Sequence, residues 1–224
     1  MAEILWSPSE QKRKSSLIQK FIDNSSLNFD NYFDLHEWSV NNIEEFWGKF
    51  WNFSGIVYSK NYNSVLTNPT MPGAKWFEGS RLNFAENLLS GKPEQIAIIE
   101  TGEGRKDRFF TFEELNAAVA SAQKGLRKLG VKSGTRVAAF VPNCVETVIL
   151  MLAATASGAI WTSCSPDFGS QGVIDRFGQV EPSLLIVANG YHYNGKIFGL
   201  EDKINGVLEK IDTIENVISI DFVQ

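Results

Sequence analysis

The second half of the chain alternates strand-like apolar runs with helical patterns, and this alternation constrains the fold more than any other feature. The clearest run, Leu184–Ala188, is apolar throughout and does not alternate with polar residues. Strands buried on both faces have this character, and intervening helices allow parallel pairing. The sequence therefore predicts the α/β class, with a largely parallel sheet carrying helices on both faces. The expected strands are Arg136–Val141, Ile160–Cys164, Leu184–Ala188 and Val217–Ile220.

Start and stop signals place the remaining elements of this region. Ile96–Ile99 and Arg108–Phe112 flank a Gly-containing turn and predict a strand–turn–strand unit. Thr111-Phe-Glu-Glu114 predicts a capping box that opens a helix, and Gly130 stands where that helix should stop.

Three more helices are expected further along the chain. Asn143 and Glu146 fit the cap of an almost wholly apolar helix that ends near Gly158. The next two are expected near Ser170–Val180, with Ser170 as a possible cap, and near Ile204–Ile211.

Residues 1–90 have a different composition, rich in Asn, Ser and aromatic residues. Ser7 is expected to cap a first helix, and Phe46, Trp47, Phe50 and Trp51 form an aromatic stripe that favours docking on a core. The segment from Ser54 to Pro72 is expected to be long and irregular. We therefore divide the chain into an N-terminal extension, residues 1–90, packed on an α/β region, residues 91–224.

Composition narrows the class of partner. With 21 Lys plus Arg against 26 Asp plus Glu, the net charge of −5 gives no electrostatic footprint for nucleic acid. The two cysteines lack metal-ligand spacing and suggest buried thiols in a reducing compartment. The N-terminus lacks the pattern of a secretory signal, and no apolar run is long enough to span a bilayer. We expect a cytoplasmic protein with no metal site in this chain.

Two loops leave the carboxyl ends of predicted strands, where ligands bind in open parallel sheets. The first is Ser163–Ser170, in which Asp167 is expected to be a turn residue, since no second carboxylate accompanies it. The second, Asn189–Lys196, fits either a site for a phosphate with a flat ring stacked nearby or an exposed, turn-rich loop. No nucleophile elbow, HExxH motif or GxxxxGK[ST] phosphate loop occurs, so we predict no catalytic residue.

Several segments resemble adenylate-forming acyl-CoA synthetases, and in particular their acetoacetyl-CoA synthetase branch. The clearest is Lys75-Trp-Phe-Glu-Gly-Ser-Arg-Leu-Asn-Phe-Ala-Glu-Asn-Leu-Leu89, which is similar to the N-terminal motif of that family. Trp161-Thr-Ser-Cys-Ser-Pro-Asp-Phe-Gly169 favours the acetoacetyl over the acetyl branch. Nearly the whole chain is covered in register.

The resemblance implies a ligase that converts acetoacetate, ATP and CoA to acetoacetyl-CoA, AMP and pyrophosphate through an acyl-adenylate, with Mg²⁺. In the family, the ATP phosphate loop, the magnesium carboxylate and the lid lysine lie C-terminal to the stretch seen here. We therefore infer an N-terminal fragment that is inactive alone and is not expected to bind ATP, Mg²⁺ or CoA tightly. The expected partners are a short-chain keto acid and CoA, with no nucleic acid or membrane. The oligomeric state stays open.

The resemblance also implies that the two loops lie near the CoA nucleotide. We name Phe168, His192 and Lys196 as candidate CoA-binding residues. His192 stands where the family has Arg, and a neutral imidazole is a weaker phosphate partner than a guanidinium.

The alternatives are an acetyl- or propionyl-type acyl-CoA synthetase fragment, a stand-alone α/β binding module and a flavodoxin-like nucleotide binder. The binding module would use Trp47, Trp51 and Trp76 to grip its partner.

Overall fold

The computed structural model describes residues 5–223. Its contacts divide the chain into two compact units, Met1–Leu82 and Asn83–Gln224. Each unit is described by itself.

The first unit contains four helices and one antiparallel strand pair among its described residues. The helices are α1 (Glu10–Lys14), α2 (Leu17–Ser25), α3 (Tyr32–Asn41) and α4 (Ile43–Ser54), and the strands are β1 (Ser64–Asn68) and β2 (Lys75–Glu78). The expected cap of the first helix was wrong, because Ser9, not Ser7, accepts a hydrogen bond from the amide of Lys12. The expectation of a long irregular segment from Ser54 to Pro72 was also wrong in part, because strand β1 lies inside it and pairs with β2 beyond it.

The aromatic stripe of α4 packs inside this unit. Trp51 is buried and its ring lies 4.7 Å from that of Phe77, centroid to centroid. Phe46 meets Phe21 edge-on at 5.7 Å. Trp47 meets Trp76 edge-on at 5.8 Å. The stripe thus contributes to a core, as expected, and Trp51 is unavailable for gripping a partner.

The second unit is built on a four-stranded parallel sheet of order β10-β7-β5-β6, accompanied by two antiparallel hairpins. Its helices are α5 (Phe84–Leu88), α6 (Phe112–Lys128), α7 (Val145–Ala156), α8 (Ser170–Val180) and α9 (Glu201–Leu208). Its strands are β3 (Ile96–Glu100), β4 (Arg108–Thr111), β5 (Arg136–Phe140), β6 (Ile160–Cys164), β7 (Leu184–Ala188), β8 (Gly190–Tyr193), β9 (Lys196–Gly199) and β10 (Asn216–Ile220).

The strand order puts helices on both faces of the sheet. The chain moves outward from β5 to β6 and then returns past β5 to β7 and β10. Because crossovers between parallel strands are right-handed, α7 lies on one face, and α8 and α9 lie on the other. The packing agrees, since α6 contacts α7 and α8 contacts α9. Every residue of β7 is buried, which explains its continuous apolar sequence. The predicted α/β architecture of this region is confirmed.

In the second unit, the helix caps agree with the sequence in one place and differ in two. Thr111 and Glu114 form the predicted capping box of α6, and Gly130 follows that helix with φ of 84°. At α7 the cap is Cys144, with no side-chain hydrogen bond, so the assignment of Asn143 was wrong. At α8 the cap position is Gly169, not Ser170.

The loop predicted over Asn189–Lys196 is instead a β-hairpin, β8–β9. Asn194 and Gly195 form its two-residue turn, with φ of 49° and 72°. Positive φ at both central positions defines the type I′ turn that matches the twist of paired strands. The Asn-Gly pair in the sequence was the signal for this hairpin.

Gly91 is a position where the fold leaves no room for a side chain. A Cβ there would lie 2.2–2.3 Å from three ring atoms of Phe112, the first residue of α6. We expect Gly91→Ala to lower the free energy of unfolding by about 1–2 kcal/mol through overpacking. Gly125→Ala is the matched control, because nothing lies within 4 Å of its Cβ. Within helix α6 that change should stabilise by about 0.5–1 kcal/mol. Urea denaturation measures the change in unfolding free energy for each variant. Equal changes in the two variants would contradict the steric argument.

Within residues 5–223, no helix combines the length and the apolarity needed to cross a membrane.

Candidate functional site

A cleft of about 630 Å³ lies at the carboxyl ends of the parallel strands of the second unit. Loops that follow β5, β6 and β10 meet there, together with strand β8 and the turn between β3 and β4. This is the edge of the sheet where the sequence predicted a ligand site. The lining residues are Gly102, Glu103, Arg105, Pro142, Asn143, Ser165, Pro166, Asp167, Tyr191, His192, Tyr193 and Phe222.

The three candidate CoA residues do not come together in this cleft. His192, on β8, is among the residues that line it. Phe168 follows the lining residue Asp167, but its ring packs beneath the guanidinium of Arg176, 4.5 Å from the ring centroid. Lys196 begins β9 and is exposed, and it is not one of the residues that line the cleft.

A lysine that the sequence analysis missed fixes the loop after β6. The ammonium of Lys203, on α9, donates hydrogen bonds to the carbonyl oxygens of Pro166 at 3.0 Å and Phe168 at 3.1 Å. Asp167 stands between these two acceptors in a turn, as predicted for it. Lys203 lies 35 to 37 residues from its acceptors in sequence, and no local sequence pattern predicts a contact over such a separation.

One wall of the cleft is formed by Arg105 and Phe222, with the cationic side chain over the aromatic ring. The guanidinium carbon of Arg105 lies 4.2 Å from the ring centroid of Phe222, within the range of a cation–π interaction. The imidazole of His192 meets the same ring at 6.1 Å. Arg105 also donates to Glu100 at 2.9 Å, which holds its side chain in place. Arg105 and Phe222 were not predicted as site residues.

Asn189 holds Phe222 at this wall. Its side-chain oxygen accepts from the amides of Phe222 at 2.9 Å and Val223 at 3.0 Å, and its side-chain nitrogen donates to the carbonyl of Val223 at 2.8 Å. The adjacent Gly190 leaves room for this segment, since a Cβ there would lie 2.7 Å from both the Phe198 carbonyl oxygen and Val223 Cγ2. Asn189 and Gly190 together connect the ends of β7 and β10.

Behind this wall, Arg108 connects two carboxylates. It donates to both oxygens of Glu146, at 2.6 and 2.9 Å, and it also binds Glu100. Hydrogen bonding to Glu146 keeps the pKa of Arg108 above its ordinary value, against the effect of burial. Burial raises the pKa of Glu146, but the hydrogen bonds and charge of Arg108 outweigh it and the net pKa is lowered. The contact therefore favours the ionised forms of both Arg108 and Glu146.

The two cysteines are buried free thiols, as expected. Burial raises the pKa of Cys144, despite a contact of 3.3 Å between its sulfur and the Thr147 hydroxyl. Burial also raises the pKa of Cys164, although the charge of Arg176 opposes the shift. Because the thiolate is the nucleophile, neither cysteine is prepared for nucleophilic chemistry at neutral pH.

The residue types that line the cleft are better suited to binding a ligand than to catalysis. Tyr191, Tyr193 and Phe222 offer aromatic surfaces, while Arg105 and Asn143 offer hydrogen-bond donors. Such a set can hold a flat ring that carries anionic or polar groups. In the described part of the chain, no cluster of three or more His, Cys, Asp or Glu residues is placed to hold a metal ion.

Comparisons with known proteins show which proteins the chain is similar to. The chain is 41% identical over 228 residues to an acetoacetyl-CoA synthetase of Xenopus tropicalis, covering 99% of this chain and 34% of that protein. It is 38% identical over 226 residues to a malonamoyl-CoA synthetase of Penicillium aethiopicum, covering 96% and 31%. The chain thus spans about a third of the length of the curated relatives it matches.

A solved structure and two sequence families give the same result. The acetoacetyl-CoA synthetase from Streptomyces lividans superposes with a TM-score of 0.90 at 36% identity, covering 97% of this chain and 35% of that one. Residues 32–88 match the family described as the acetyl-coenzyme A synthetase N-terminus. Residues 85–223, more than half of the chain, match the family described as AMP-binding enzyme. The chain belongs to the AMP-binding enzyme family.

Proposed function

We propose that this chain supplies the N-terminal third of an acetoacetate–CoA ligase. The observation that carries the proposal is the 41% identity to an acetoacetyl-CoA synthetase, maintained over 99% of the chain. The proposed roles are an N-terminal extension, residues 1–90, and the first portion of the ligase α/β domain, residues 91–224.

The proposed reaction has two steps. The carboxylate of acetoacetate attacks the α-phosphorus of ATP, so that pyrophosphate leaves and an acyl-adenylate forms. The CoA thiolate then attacks the acyl carbon, and AMP leaves. Magnesium, when bound, would neutralise charge on the transferring phosphate. The described residues contain no cluster of three or more His, Cys, Asp or Glu residues placed to hold a metal ion, and we propose that the magnesium ligands lie in the remainder of the ligase.

The contribution of this chain to the reaction is the CoA side of the site. CoA carries an adenine ring and several phosphates, and the cleft offers aromatic faces beside the cationic Arg105. We keep Phe168, His192 and Lys196 as proposed CoA contacts. His192 is supported by its place in the cleft, and Lys196 by its position on the strand paired with that of His192.

The proposed activity is tested on the full-length protein that contains this chain. With ATP, Mg²⁺ and CoA, AMP release should depend on the acid supplied, and acetoacetate should give the highest kcat/KM. Acetate, propionate and malonamate are the comparison substrates. A preference of tenfold or more for any of these three would overturn the acetoacetate assignment. The 224-residue chain alone is expected to release no AMP.

Lys196 provides the test of the CoA contact. An exposed ammonium that pairs with a phosphate contributes about 1 kcal/mol, so Lys196→Ala should weaken CoA binding about fivefold. Isothermal titration of CoA into the full-length protein measures this change. Lys210→Ala removes the same charge from an exposed position just after α9 and serves as the control. Equal affinities in wild type and Lys196→Ala would remove Lys196 from the site.

We further propose a cytoplasmic location, in keeping with two free cysteines. No role in binding nucleic acid or membranes is proposed.

A further inference from the structure

The loop after β6 forms part of the cleft, and its conformation depends on a side chain from another element. Ser165, Pro166 and Asp167 line the cleft. Within the loop itself, the backbone hydrogen bond from the Phe168 amide to the Ser165 carbonyl, at 3.2 Å, closes the turn. Lys203 then binds the carbonyls of Pro166 and Phe168 from α9.

The position of Lys203 is unusual for a lysine. Its side chain is partly buried, whereas most lysines extend their ammonium into water. Among the described residues, no carboxylate lies within 4.0 Å of its ammonium, and the ammonium donates instead to the two loop carbonyls. Because Pro166 is buried, its carbonyl needs a hydrogen-bond partner from the protein, and Lys203 provides one. The two acceptors flank Asp167, so the lysine fixes the turn from both sides.

We propose that Lys203 is a positioning residue for the CoA-dependent half of the reaction. It holds the Pro166–Phe168 turn in the conformation that the cleft requires, without contacting CoA. This inference rests on the proposed ligase function. When the binding-competent conformation of a loop is populated only a fraction of the time, the apparent dissociation constant rises by the reciprocal of that fraction. Loss of both hydrogen bonds should therefore weaken CoA binding while leaving adenylate formation unaffected.

The test separates the two half-reactions in the full-length protein. Lys203→Met keeps the length and apolar stem of the side chain but removes its donors. We expect the KM for CoA to rise about tenfold, the fold-change for a turn populated a tenth of the time. Acetoacetate-dependent exchange between pyrophosphate and ATP, which needs no CoA, should stay within about twofold of wild type.

Two further variants sharpen the result. Lys203→Arg retains donors that can reach carbonyls and should recover most of the CoA affinity. Lys210→Met makes the same chemical change at an exposed site and should leave both half-reactions unchanged.

The outcomes distinguish this inference from the proposed function. An unchanged KM for CoA in Lys203→Met, with normal exchange, would overturn the role of Lys203 alone. An equal fall in both half-reactions, together with a lower Tm, would also overturn it, because a general structural role predicts that pattern. Absence of acetoacetate-dependent exchange in the wild-type protein would instead overturn the ligase assignment.

Discussion

Replacing Gly190 with alanine is expected to lower the free energy of unfolding by about 3 kcal/mol. The new Cβ would lie 2.7 Å from the Phe198 carbonyl oxygen, which belongs to the backbone of the paired strand. It would also lie 2.7 Å from Val223 Cγ2. A backbone atom cannot rotate away as a side chain can, so either the hairpin or the segment after β10 must move. Both movements disturb the wall of the cleft formed by His192 and Phe222.

Gly199 is a matched control for this substitution, since it stands directly opposite Gly190 in the same hairpin. Nothing lies within 4 Å of a Cβ built there, so Gly199→Ala should change stability by less than about 0.5 kcal/mol. Both substitutions reduce the conformational entropy of the unfolded chain by the same amount. The difference between their unfolding free energies therefore comes from the folded state. Urea denaturation measures both. Similar losses at the two positions would refute the close approach at Gly190.

Arg108→Met is expected to lower the free energy of unfolding by about 2–3 kcal/mol, because one arginine serves two carboxylates. Glu146 would lose both of its hydrogen bonds from Arg108, while Glu100 would keep its hydrogen bond from Arg105. The side chain of Glu100 is 10% exposed, so water is a poor replacement for the contact that it loses with Arg108. The charges of Arg108 and Glu146 are about one-third exposed, which keeps the expected loss below that of a fully buried pair.

The effect of Arg108→Met should depend on pH with a definite sign. The pKa of Glu146 is lowered in the folded protein from its ordinary value of 4.5. A carboxylate of this kind contributes stability that is fully present above its unfolded pKa and is lost as the pH falls through the folded pKa. The difference in unfolding free energy between wild type and Arg108→Met should therefore be constant near neutral pH and shrink below about pH 4.5.

Arg136→Met is the control for the arginine substitution. Arg136 makes a more exposed contact with Glu181, at 3.5 Å between charged atoms, and its loss should cost less than about 1 kcal/mol. Chemical denaturation of the three proteins at pH 7 and in steps down to pH 4 measures the stability differences. A difference between wild type and Arg108→Met that grows on acidification would contradict the pKa direction of Glu146.

The sheet could be predicted from sequence because its signals are local. The run Leu184–Ala188 is apolar throughout since both faces of β7 are covered, and the capping box at Thr111 marks the start of α6 within four residues. The β8–β9 hairpin also has a local signal, the Asn194-Gly195 pair, whose turn chemistry favours a hairpin over the loop predicted there. Strands β1 and β2 lack such a signal because the irregular segment Pro69-Thr-Met-Pro-Gly-Ala74 separates them.

The site was harder to predict, since its decisive contacts join distant segments. Arg108 and Glu146 are 38 residues apart, and Lys203 reaches the Phe168 carbonyl across 35. No spacing rule connects such positions. The strand ends mark the loop that contains His192 as part of the binding edge of a parallel sheet, and the family resemblance names Phe168, His192 and Lys196 as candidates. Arg105 and Phe222 become visible only when β10 lies beside β7.

The order in which the cleft residues occur along the chain bears on how the protein is made. Its walls come from the turn between β3 and β4, the loops after β5 and β6, strand β8, and finally Phe222 beyond β10. A polypeptide leaves the ribosome from its N-terminus, so Arg105 emerges more than a hundred residues before the ring that it covers. Until β10 has paired with β7, the apolar edge of β7 and the cation of Arg105 lack their final partners. Slow synthesis of the segment between β7 and β10 would prolong the exposure of that strand edge, and an unpaired edge is a template for pairing with another chain.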